Sequence, residues 1–90
     1  MKRGQIVYST AGRDKGSFLI IVEERNDLLL LCDGKQRPLQ RPKLKNKKHV
    51  IITNDCLSQN RLSGNKSLRR ALNIYAAAKP KEEILCLKKI

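Results

Sequence analysis

Aromatic side chains are scarce in this chain: two tyrosines, one phenylalanine and no tryptophan in 90 residues. Proteins that hold single-stranded nucleic acid by stacking bases on a row of rings need more, so a stacking platform is not expected. The only histidine, His49, has no acidic neighbour close in sequence, and no cysteine stands at a suggestive spacing from it. A nucleophile–base pair is therefore unmotivated, and catalysis ranks last among the functional classes. Cys32, Cys56 and Cys86 are far apart, form no CxxC pair and leave one odd member. They read as small apolar fillers in a reducing compartment rather than as metal ligands or disulfide partners. The carboxylates lack calcium-loop spacing, and the stretch from Gly12 to Gly16 lacks the GK[ST] ending of a nucleotide-hydrolase phosphate loop. No metal, cofactor or small-molecule substrate is expected. No apolar run approaches the roughly 18 residues of a membrane span, and residues 1–8 lead into a strand-like stretch instead of a signal-peptide core, so the expected location is the cytoplasm, with no membrane partner.

What the chain has in excess is positive charge. Twenty Lys and Arg stand against eight Asp and Glu, a formal charge of +12, well beyond the needs of solubility in so small a protein. Such an excess requires a polyanion. The densest acid-free stretch is 35–48, with Lys35, Arg37, Arg41, Lys43, Lys45, Lys47 and Lys48. In an extended backbone Lys43, Lys45 and Lys47 would point the same way and follow a run of phosphates.

Along the chain, residues 4–9 (GQIVYS) read as a strand, broken by the glycine-bracketed loop 11–16. Residues 18–22 form a second strand, residues 23–27 a polar connection, and residues 28–32 a third strand. Asp33-Gly34 has the signature of a type I′ hairpin, with 35–39 as the returning strand and Pro38 and Pro42 marking an edge. Residues 41–49 should be extended or loop-like, and 49–53 a fifth strand. About five short strands joined by tight turns predict a mainly β fold: a small, strongly bent antiparallel barrel of the SH3-like kind, followed by a C-terminal α-helix. The barrel would occupy 1–53 with its basic arm at 35–48, a linker 54–65, and a helical appendage 66–90 that is no independent domain. Leu57 and Leu62 could touch the barrel. Leu68, Ala71, Leu72 and Tyr75 fall on one helical face, with Arg69, Arg70 and Asn73 opposite. The apolar face suits packing on the barrel; a partner-binding stripe is the alternative. Beyond Pro80 the pattern is ambiguous between helix and strand, with a helix favoured.

The blocks Gly4-Gln5-Ile6-Val7-Tyr8-Ser9-Thr10-Ala11-Gly12-Arg13-Asp14-Lys15-Gly16, Asp33-Gly34-Lys35 with Arg37, and Pro42-Lys43-Leu44-Lys45-Asn46-Lys47-Lys48-His49 together resemble the small bacterial KOW-domain RNA-binding proteins. These are similar to archaeal and eukaryotic large-subunit ribosomal proteins. The resemblance covers about residues 2–53 and implies an SH3-like barrel that binds RNA without catalysis. It places the family's central glycine on Gly16, its RNA-facing loop cations on Arg13 and Lys15, and its basic segment on Lys43 to Lys48.

Two functions follow as expectations. The first is binding of structured RNA, ribosomal RNA foremost, in ribosome association or assembly, with ribosomal proteins as further partners. Arg13, Lys15, Lys35, Arg37, Arg41, Lys43, Lys45, Lys47 and Lys48 would contact phosphate, while Gly12, Gly16 and Gly34 shape the loops. RNA is preferred to duplex DNA because no recognition helix follows a tight turn. Tyr8 and Phe18 are the aromatic candidates for base stacking, but each lies in a strand, which favours core packing instead. The second function is a protein-interaction adaptor of the transcription or translation machinery, which requires an exposed apolar face on the helix 68–75.

Overall fold

The apolar runs at 18–22 and 28–32 become neighbouring strands, and where both faces are buried, at Phe18 to Ile21 and at Leu31 and Cys32, their hydrophobicity is continuous rather than alternating, while Leu28 at the strand end is exposed. The computed structural model describes residues 3–78, with the side chain of Gln59 excepted. Its strands are β1 (Gln5–Ser9), β2 (Phe18–Arg25), β3 (Leu28–Cys32), β4 (Lys43–Asn46) and β5 (Val50–Cys56). Short 3-10 turns occupy Lys47–His49 and Gln59–Leu62, and helix α1 runs over Asn65–Ala78.

The strands form one antiparallel sheet in the order β4-β3-β2-β1-β5. This corrects the expected barrel. β4 and β5 are the two free edges, and the sheet is not closed by a ladder between them. The three-residue turn Lys47–His49 joins these edges directly, so the sheet must curl strongly for the chain to pass from one to the other. Irregularities in register between Ile21 and Glu23, and between Gln5 and Val7, supply local curvature. β4 is only four residues long, and it is tied toward β1 through the side chain of Lys45 rather than by main-chain pairing. The same ammonium donates to the Ala11 carbonyl and to Asp14 in the loop after β1.

Alternation along β1 and β2 sorts the core into two clusters. Ile6, Tyr8, Phe18, Ile20 and Cys32 lie on one face, joined by Ile51 and covered by Leu62, Leu68 and Leu72. Val7, Leu19, Ile21, Leu29 and Leu31 pack on the other, with Val50 and Ile52 against them. That second cluster contains sheet residues alone, the signature of a sheet curled around its own concave face. Burying side chains such as Leu68 and Leu72 contributes about 1.5–3 kcal/mol each relative to leaving them in water.

Several local expectations change. β2 continues through the charged Glu23–Arg25 stretch, so the connection to β3 is only Asn26 and Asp27, with Asn26 at φ 52°. Exposed charges extend the strand because its outer end faces solvent on both sides. Asp33-Gly34 does not form a hairpin. The Asp33 carboxylate accepts hydrogen bonds from the Lys35 and Arg37 backbone amides, each at 2.9 Å, and the Arg37 carbonyl accepts from Asp33 and Gly34. This self-contained loop, followed by Pro38 and Pro42, diverts 35–39 from the sheet, and the strand returning beside β3 is β4 instead. Residues 43–46, expected as arm, are therefore an edge strand. β5 runs on to Cys56, and the segment 54–65 is packed: Leu62 is buried and Leu57 lies against the core. Cys32 is the apolar filler expected, whereas Cys56 is exposed. Cys86 and the expected second helix beyond Pro80 lie outside the described residues.

Candidate nucleic-acid interface

The loop 11–16 is built around a buried carboxylate. Asp14, 8% exposed, accepts hydrogen bonds from Lys45 Nζ and from Ser9 Oγ, the latter at 2.9 Å. Lys45 Nζ also donates to Ser9 Oγ and to the Ala11 carbonyl, each at 2.6 Å. Burial by itself pushes the Asp14 carboxyl up; the hydrogen bonds from Lys45 and Ser9 and the positive charges of Lys45 and Lys43 outweigh it and hold the group below the ordinary carboxylate range. Positive φ at Gly12 and Gly16, 84° and 88°, turns the backbone so that Asp14 points in. Its neighbours Arg13 and Lys15 are exposed on either side of it.

This arrangement dismantles the expected row of ammonium groups. On β4, Lys45 lies opposite Leu29 on the concave face and is buried, while Leu44 points outward at 48% exposure. Inward charge on an edge strand discourages pairing with another chain, but it withdraws Lys45 from any phosphate. Lys43 is half-buried. Lys47 lies in the 3-10 turn and pairs with Glu24, whose carboxyl is lowered chiefly by that hydrogen bond. Lys48 and Arg41 remain exposed, and Arg37 is half-buried in its loop. Tyr8 and Phe18 are core residues with ring centroids 5.2 Å apart, and Phe18 meets Tyr75 edge-on at 5.1 Å. Neither ring forms an exposed stacking platform; Phe18, 8% exposed, still reaches the lining of the groove described next, whereas Tyr8 does not.

A different set of cations converges. Arg13 from the first loop, Lys35 from the loop after β3, and Arg69 from α1 line one groove of about 360 Å³. None of the three is ion-paired among the described residues. Among the described residues the one acid lining the groove, Asp33, accepts from two backbone amides. The basic surface continues along α1, where Lys66, Arg69 and Arg70 line a second groove and Arg61 joins Lys66 and Arg70 in a third. α1 contains no acidic residue. Sequence reasoning misses Arg69 as a site residue because helical spacing shows only that it faces away from the core, not that it meets a loop more than 30 positions earlier; the acid-free helix is the signal that could have found it.

The meeting of loop and helix is fixed by two residues. Gly34, at φ +79°, packs so closely on α1 that a Cβ there would stand 2.3 Å from the Asn65 carbonyl oxygen and 3.0 Å from the Arg69 nitrogen. Asn65 Oδ1 accepts from the Leu39 amide at 2.7 Å, and Asn65 Nδ2 donates to Gln40 Oε1 at 2.8 Å.

The apolar face of α1 is occupied. Leu68, Ala71 and Leu72 are buried, and Tyr75 packs on the core and donates to Asp55 Oδ2 at 2.6 Å. The Cys32 thiol is pushed up to about 11, first by burial and then by the Asp33 charge, so it stays protonated at neutral pH. Among the described residues no group of three or more His, Cys, Asp and Glu is placed to hold a metal ion, and no helix is long and apolar enough to cross a membrane. No protein-family model matches the chain, and no curated protein matches it either.

Proposed function

We propose that this protein binds structured RNA through its phosphates, without catalysis, and that ribosomal RNA is the target, as its resemblance to the KOW-domain RNA-binding proteins implies. The observation that carries the reading is the convergence of Arg13, Lys35 and Arg69 from three separate segments onto one groove with no ion-pair partner among the described residues. Cations gathered this way repel one another, and an anion between them relieves that repulsion. Arg61, Lys66 and Arg70 extend the track, while Lys15, Lys48 and Arg41 supply further exposed charge. The adaptor reading loses its helix face, since the side chains it requires are buried beneath α1.

Binding to a ribosomal RNA fragment, measured over a series of salt concentrations, tests the proposal. Changing Arg13, Lys35 and Arg69 together to alanine should lower affinity and flatten the slope of log K against log salt by about one unit for each phosphate no longer neutralised. An unaltered slope in the triple variant would sink the assignment.

A further inference from the structure

The groove has more than a cationic rim. Its floor includes Phe18 and Leu72, both core residues, and its walls carry the side-chain amides of Gln36 and Asn73, both exposed. A phosphate by itself needs neither an apolar floor nor amides, whereas a nucleotide uses all three. A base is apolar on its faces and presents donors and acceptors at its edge, which Gln and Asn match because each offers both an acceptor and donors. About 360 Å³ also lies in the range of small-molecule sites. Resting on the RNA-binding reading above, we propose that this groove takes a single unpaired nucleotide. Its phosphate would lie between Arg13, Lys35 and Arg69, its base over Phe18 and Leu72, and its edge against Gln36 and Asn73.

The inference changes what the protein selects. Phosphate contacts along a paired stem are indifferent to sequence and to bulges; a groove for one nucleotide favours RNA in which a base is already out of the helix, because extruding it from a paired stem costs stacking and pairing energy. The same chemistry would admit a free nucleotide, and the experiment separates the two sources.

Affinity is measured for a continuous RNA stem, for the same stem with one bulged 2-aminopurine, and for adenosine monophosphate. The bulged RNA should bind about tenfold tighter than the continuous stem, the scale of one or two added hydrogen bonds with apolar contact, and its 2-aminopurine emission should change on binding. The double variant Gln36→Ala/Asn73→Ala should abolish that preference while leaving the continuous stem's affinity and salt slope intact. Equal affinity for the two RNAs, with their salt dependence preserved, overturns the inference but not RNA binding. Failure of both RNAs to bind removes the RNA reading itself. Tight binding of adenosine monophosphate without a preference for the bulge would assign the groove to a free nucleotide and overturn its role in RNA selection.

Discussion

Lys45 contributes to architecture what its sequence position suggests it would contribute to binding. Its ammonium, buried with the Asp14 carboxylate, holds loop 11–16 in the shape that leaves Arg13 and Lys15 outside. Removing one member of a buried pair strands the other charge, at a cost of about 3–5 kcal/mol. Lys45→Met should therefore destabilise the protein by that order in urea unfolding, whereas Lys43→Met, at a half-buried position with no ion pair among the described residues, should cost far less. The pH dependence has a definite sign. Asp14's carboxyl is lowered in the folded protein, so its contribution to stability is complete above the unfolded value of about 3.9 and is lost as pH falls through the lower folded value. The stability gap between wild type and Asp14→Asn should be wide at pH 7 and should narrow below about pH 4, as read from urea midpoints. A gap constant down to about pH 2 would contradict the pairing.

At the level of elements, the decisive junction lies between loop 33–42 and α1. Gly34 allows the loop to touch the helix backbone, and Asn65 clamps the two together. Gly34→Ala meets both a steric clash and an unfavourable φ, so it should destabilise by more than about 1 kcal/mol. It should also weaken RNA binding beyond the loss of fold, because displacing the loop separates Lys35 from Arg69. Comparing affinity at a temperature where the variant is fully folded by circular dichroism separates the two effects. If affinity is unchanged there, the loop–helix contact does not shape the site.

For the whole molecule, charge and curvature act together. The chain carries +12, yet part of that charge serves the fold, through Lys45 inside and Lys47 against Glu24. The remaining cations are distributed by the curled sheet and the packed helix, so binding should respond to salt through a limited set of contacts rather than through net charge. Replacing Lys48 and Arg41, which line none of the grooves described above, should therefore cost less affinity per charge removed than replacing Arg13, Lys35 and Arg69. Equal losses per charge in the two variants, measured at the same ionic strength, would point to diffuse attraction instead of a site.

Much of this organisation follows from local pattern. The span of β3, the helical face of Leu68, Ala71 and Leu72, and the glycine loop around Asp14 are written in short-range periodicity and turn chemistry, because each depends on neighbours a few residues away. The net charge of +12 is likewise read from composition, since it is independent of folding. Other features depend on contacts between distant segments. Whether the sheet closes depends on how β4 and β5 meet, and these two edges are not joined by a ladder. Which cations face outward depends on the register that turns Lys45 inward and Leu44 outward, a choice that alternation alone leaves undecided because both β4 assignments place every second residue together. The groove of Arg13, Lys35 and Arg69 exists only because Gly34 lets a loop lie against a helix more than 30 residues further along, and no local pattern encodes that approach.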